Sequence, residues 1–107
     1  RLRDRGRLLW ALERENLLPE GVGKDPAALP ELTTETIAAI HAYLARSPAM
    51  LMVVQPEDLF GLAEQINVPG TLEHQHPNWQ RKLPAPIEEW AAAEGFKRCV
   101  AALRAER

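Results

Sequence analysis

MLMVVQ, residues 50–55, is a continuous apolar run with two adjacent β-branched valines, closed by Pro56. A short run of this kind, bounded by turn signals, fits a strand buried on both faces, as in a parallel sheet covered by helices. The remainder of the 107 residues shows helical spacing or loop chemistry, and no second convincing strand is present. A lone buried strand would leave its backbone N–H and C=O groups unpaired. The partners of MLMVVQ must then come from outside this sequence or from a second copy of it, so self-association is one route to pairing. The expected fold is mainly α with one short buried strand.

The helices are read outward from that run. Leu8, Leu9 and Leu12 form an apolar stripe with charged residues opposite, which predicts a helix over 2–16. Residues 17–32 hold three prolines and two glycines and read as a connecting loop. A helix over 33–46 follows, with Thr33 or Thr34 as N-cap and Ile37, Ile40 and Leu44 as its apolar face. Ser47-Pro48 ends it, because a residue before proline is pushed away from helical angles. Pro56, Glu57 and Asp58 suit the start of a short helix over 57–62. The last two helices are expected over 86–93, with Ile87, Trp90 and Ala91 on one face, and over 95–105, with Phe96, Cys99, Val100 and Leu103. They are broken near Glu94-Gly95 because the two apolar sets point in roughly opposite directions on a helical wheel at ~100° per residue.

Composition narrows the classes. One domain of modest core is expected from 107 residues, and a net charge of −2 gives no electrostatic case for nucleic acid or an anionic membrane as partner. No apolar run approaches the ~20 residues needed to span a bilayer, and RLRDRGRLLW lacks the apolar centre of a signal peptide. The single cysteine, Cys99, excludes an internal disulfide and suits a reducing cytoplasm. Beginning at Arg1 within helical sequence, the chain reads as a piece of a larger protein.

The most informative loop is INVPGTLEHQHPNWQRKLP, residues 66–84. Val68-Pro69-Gly70-Thr71 matches a type II turn, with proline setting φ at the second position and glycine supplying positive φ at the third. Val68 and His76 each precede a proline and are held extended. The loop is thus stiffened at two points and carries Asn67, Thr71, Asn78 and the flat face of Trp79. Such a loop suits ligand recognition, since little ordering cost is added on binding, and Asn both donates to and accepts from hydroxyls. It equally suits a structural Ω-type loop whose tryptophan packs on a neighbouring helix.

Other candidates are weaker. His74 and His76 beside Glu73 suggest a metal, but His-x-His lacks the second half of a usual site, so no metal and no cofactor is expected. Cys99 has apolar neighbours at helical spacing and reads as a small core residue. Glu57 and Asp58, adjacent in a helix, point apart and cannot face each other across a glycosidic bond. There is no phosphate-binding glycine pattern, and Ser47, the only serine, has no evident histidine base.

Taken in order, MVVQPEDLFGLAEQINVPGT and HPNWQRKLP resemble the C-terminal end of the 4-alpha-glucanotransferases, the amylomaltases or disproportionating enzymes of glycoside hydrolase family seventy-seven. RDRGRLLWALERENLLP is similar to the helix that follows the family's last catalytic motif. The resemblance covers nearly the whole chain, and NVPGT with PNW at this spacing is its most specific part. Gln80 stands where the family commonly has arginine. The resemblance implies a C-terminal fragment of a (β/α)8 TIM-type barrel, with 50–55 as the last strand and 66–84 as the loop after it, at the face where barrel active sites lie. It implies α-1,4-glucan or maltooligosaccharide as ligand, transferred to the 4-hydroxyl of an acceptor sugar. It also implies substrate-binding roles for Asn67, Pro69 and Gly70, and roles in loop architecture for Asn78 and Trp79. The nucleophilic aspartate, acid/base glutamate and stabilising aspartate of the family lie upstream of the matching part, so no catalytic residue is assigned here and the fragment alone is expected to be inactive. The competing class is a non-catalytic helical module that binds a protein partner.

Overall fold

The computed structural model describes residues 1–29 and 32–107. Positions 30 and 31, within the connecting loop expected over 17–32, lie outside the described residues. In chain order the elements are α1 (Leu2–Arg14), α2 (Thr34–Ala45), α3 (Pro56–Leu59), a 3₁₀ turn (Ile87–Ala92) and α4 (Glu94–Glu106). The architecture is mainly helical, and the described residues contain no strand. No helix among them is long and apolar enough to cross a membrane.

Local chemistry sets the helix ends. α1 stops at a Schellman closure: Leu17 N–H donates to Leu12 C=O at 2.8 Å and Asn16 N–H to Glu13 C=O at 2.9 Å. Asn16 takes φ 56° there, a left-handed position that asparagine tolerates better than most residues. Thr33 caps α2, its hydroxyl accepting from Thr36 N–H at 3.3 Å. α3 is one residue earlier and shorter than the 57–62 expected, because Gly61 at φ 64° reverses the chain. Leu62 N–H then donates to Glu57 C=O, and Gly61 N–H to Asp58 C=O. The helix expected over 86–93 is instead a 3₁₀ turn, separated from α4 by extended Ala93. That separation is the break foreseen near Glu94-Gly95.

α2 packs chiefly on α4, with α1 and α3 as further neighbours. The face α2 buries differs from the one expected. Ala38, Ala39, Ala42 and Ala45 are buried together with Thr36 and His41, whereas Ile37 and Ile40 are half-buried and Leu44 is exposed. Short side chains let the helices approach closely, which large aliphatics would prevent. Leu9 and Leu12 of α1, Leu29 of the connecting loop and Cys99 of α4 are buried with them. At the same junction Gly95 meets α3: a Cβ added there would fall on the Leu59 carbonyl oxygen, so only glycine permits this crossing.

One pole is fastened by arginines. Arg46, at the end of α2, makes a paired contact with Glu106 of α4, Nε to Oε2 at 2.7 Å and Nη2 to Oε1 at 2.9 Å, and also donates to Glu15 C=O. Arg107 donates to the carbonyls of Ala45 and Ala49 at 3.0 and 2.7 Å. The bonds to Glu15 and Ala45 satisfy carbonyls that the ends of α1 and α2 leave open.

Residues 50–55 are the largest departure. The run is not a buried strand in this chain: Met50 and Leu51 are exposed, Val53 is 78% exposed, and only Met52 and Val54 turn toward Leu103 of α4 and Arg107 at its end. Without a neighbouring strand the ladder has nothing to pair with, and one face has nothing to cover it. The whole chain shows the same openness. Its accessible surface is 8034 Å², against about 6,000 Å² for a folded monomer of this mass. Its radius of gyration is 15.4 Å, against about 13 Å for a compact domain of this length.

Two outcomes follow from these contacts. Gly95→Ala is expected to lower stability by about 1–3 kcal/mol through overpacking. Gly6→Ala, where the new Cβ meets only Pro26 at 3.7 Å, is expected to raise it by about 0.5–1 kcal/mol as a helix-interior exchange. Thermal melts of both variants check the opposite signs. The second outcome concerns pH. Hydrogen bonds from Arg46 hold the Glu106 carboxyl below its ordinary value, and Glu35 is lowered first by its own backbone N–H and then by Thr33. Carboxyls depressed in the folded state add stability above their unfolded value of about pH 4.3 and lose it as pH falls through the folded value. Glu106→Gln should therefore flatten the acid limb of a plot of Tm against pH.

Candidate functional site

Loop 66–84 is built around one side chain. Asn78 Oδ1 accepts from Val68 N–H at 2.8 Å, and its Nδ2 donates to Thr71 Oγ1 at 2.9 Å and Thr71 C=O at 3.3 Å. Between these anchors Val68–Thr71 forms the tight turn, with Thr71 N–H donating to Val68 C=O at 3.2 Å and Gly70 at φ 83°. Positive φ at that third position is what a type II turn requires of its glycine. The loop is closed at its base by Trp79 N–H donating to Ile66 C=O at 3.0 Å. His76 Nε2 donates to Gln65 C=O at 2.9 Å, Gln80 donates to Glu73 at 2.9 Å, and Arg81 pairs with Glu64. These bonds hold the segment as a closed Ω-type loop.

Beside it lies a cleft of about 570 Å³ whose lining includes Gln55, Glu57, Asp58, Glu64, Asn67 and Trp79. That volume falls in the range of small-molecule sites, about 300–1,000 Å³. The cleft opens where the extended run 50–55 ends and α3 begins, with the loop as its far wall. Asn67 is half-buried in that wall, and none of the loop's side-chain hydrogen bonds among the described residues engages its amide. Pro69 and Gly70 are exposed at the turn and are not among the residues that line the cleft. Asn78 faces inward to the turn. Trp79 is 74% exposed.

The cleft also contains residues that sequence spacing did not mark as site residues. Glu57 and Asp58 belong to the first turn of α3, yet both line the cleft with Gln55. Their signal was position: they follow directly on the C-terminal end of an apolar extended run. Behind Asp58 lies His41, 6% exposed, whose ring nitrogens approach Ile37 C=O at 2.8 Å and Asp58 Oδ2 at 3.7 Å. No sequence pattern around His41 marked it as buried. Burial, and secondarily the charge of Asp58, push the Cys99 thiol up, away from the reactive thiolate form. Among the described residues no group of three His, Cys, Asp or Glu side chains is arranged to hold a metal.

The sequence matches a known family. The family model for 4-alpha-glucanotransferase matches residues 2–88. The chain belongs to the 4-alpha-glucanotransferase family. A 4-alpha-glucanotransferase of Haemophilus influenzae is 34% identical over 97 residues, which cover 91% of this chain and 14% of that protein. Those of Mycobacterium bovis and Mycobacterium tuberculosis are each 32% identical over 83 residues, 78% of this chain and 10% of theirs. The chain thus spans about a seventh or less of the length of these glucanotransferases. No solved structure matches it significantly. Within the family match lie the whole of loop 66–84 and every residue that lines the cleft.

Removing the Asn78 amide should loosen the loop. Asn78→Leu is expected to cost about 1–3 kcal/mol for the hydrogen bonds lost in a part-buried site. Hydrogen exchange at Val68 and Thr71 should accelerate along with the fall in Tm.

Proposed function

We propose that this chain is the C-terminal part of a 4-alpha-glucanotransferase and forms one wall of its glucan cleft. In this reading residues 50–55 are the last strand of a (β/α)8 barrel, and α2 and α4 are helices of its outer layer. The observation that carries it is the placement of the cleft. It opens at the C-terminal end of the extended run, the face at which barrel enzymes build their sites. Further support comes from the surface. About 2,000 Å² beyond that of a folded monomer is available to be covered, and exposed Met50, Leu51 and Val53 are part of it. A neighbouring strand would pair the backbone of that run as well as bury its side chains, which a partner docking on side chains alone would not do.

The reaction proposed for the whole protein cleaves an α-1,4-glucan and passes the glucanyl segment to the 4-hydroxyl of an acceptor sugar. It follows the retaining course through two carboxyl groups and a covalent intermediate. Those carboxyls come from sequence outside these 107 residues, and this chain contributes binding. Asn67, with an amide unengaged by the loop, donates to and accepts from sugar hydroxyls. Pro69 and Gly70 shape the turn that holds it, and Asn78 locks the turn. The free thiol of Cys99 suits a protein working in the cytoplasm.

In the full-length native protein, Asn67→Ala is expected to lower kcat/KM for maltotriose disproportionation roughly tenfold, about the loss of one hydrogen bond to substrate. Its Tm should stay within about 2 °C of the native value. Native kinetics in that variant would remove Asn67 from the cleft, and absence of disproportionation by the native protein would remove the proposed activity.

A further inference from the structure

Trp79 has a conformation that folding alone does not explain. Its backbone occupies the left-handed region at φ 61°, where a bulky side chain is disfavoured by about 1–2 kcal/mol and glycine or asparagine is the ordinary choice. The bond that holds it there, N–H to Ile66 C=O at 3.0 Å, uses only the main chain and would form with any residue but proline. Among the described residues the indole makes no aromatic pair, unlike Trp90, whose ring meets Phe60 edge-on at 5.9 Å. At 74% exposure it contributes little to the core. A strained backbone at the mouth of a cleft, carrying a large exposed aromatic, points to a ligand.

We propose that the Trp79 indole is a stacking platform for one glucopyranose ring of an α-1,4-glucan, which rests on the glucanotransferase reading above and extends it to a specific subsite. The closure at Ile66 fixes the residue beside Asn67, the next residue in the chain, and both line the same cleft. Gln55 and Glu57 are part of the same lining. A pyranose has faces of C–H groups and an equatorial rim of hydroxyls. The indole covers a face, while the Asn67 amide and the Glu57 carboxylate reach the rim. An aromatic surface ringed by amides and carboxylates matches that division of apolar face and polar edge. It would not suit a phosphate, which the carboxylates repel, or a wholly apolar ligand, which would strand the polar groups.

The test uses the full-length native protein with Trp79→Asn and Trp79→Phe. Asparagine tolerates the left-handed backbone, so Trp79→Asn removes the indole without adding strain, and its Tm should equal or exceed the native value. The expected result is a roughly tenfold rise in KM for maltotriose with kcat within about twofold, and a rise of no more than about threefold for Trp79→Phe. Maltotriose titration should also lose its tryptophan-fluorescence change in both variants. Native KM in Trp79→Asn overturns the platform, as does a fall in its Tm with KM unchanged, which would place the indole against the rest of the protein. If the native protein binds maltotriose with a Trp79-dependent signal but does not disproportionate it, the platform stands and the transferase reading falls. If it neither binds nor disproportionates, both fall.

Discussion

The crossing of α2, α3 and α4 depends on side chains that are small or missing. Ala38, Ala39, Ala42 and Ala45 are buried on α2, whose main neighbour is α4, and at Gly95 there is no room even for a methyl group beside the Leu59 carbonyl. Larger residues would hold these elements apart, since interior packing is close to crystalline density. α3 would move with them. Because Glu57 and Asp58 ride on α3 and form one side of the cleft, the separation of the helices sets the width of the site. His41 is buried at the same junction, its ring lodged between its own helix and Asp58.

The opposite wall is independent of that crossing. Loop 66–84 holds its shape through Asn78, a proline-glycine turn and a closure at Ile66, all internal to the loop. A site made from one self-supporting loop and one wall set by helix packing can keep hydrogen-bonding groups oriented before a ligand arrives. That lowers the ordering cost of binding. Trp79 lies at the closure with a left-handed backbone and is among the residues that line the cleft.

Residues 50–55 show how an element can be readable and yet incomplete. Their apolar, β-branched composition signals a strand, and the chain is extended there with Met52 and Val54 on the α4 side. A strand is nonetheless a pairing of two segments, and the described residues supply only one. The same reasoning accounts for α2. Ile37, Ile40 and Leu44 form the face that hydrophobic spacing marks for burial, and it is the less covered face here. Spacing reports which residues suit burial, while burial itself requires a surface to pack against.

The features that follow from the order of residues are local. They are the cap at Thr33, the end of α1 near Asn16, the turn at Pro69-Gly70, the break before α4, and the family resemblance carried by EDL, NVPGT and PNW. Each of these rests on the φ preference or hydrogen-bonding capacity of residues a few positions apart, so a linear reading can find it. The tertiary structure alone decided that α2 buries its alanines, that Gly95 is confined by Leu59, that His41 is enclosed behind Asp58, and that Trp79 is exposed beside Asn67. Those facts depend on which distant segments meet and how closely, and no period or propensity within one segment contains that distance.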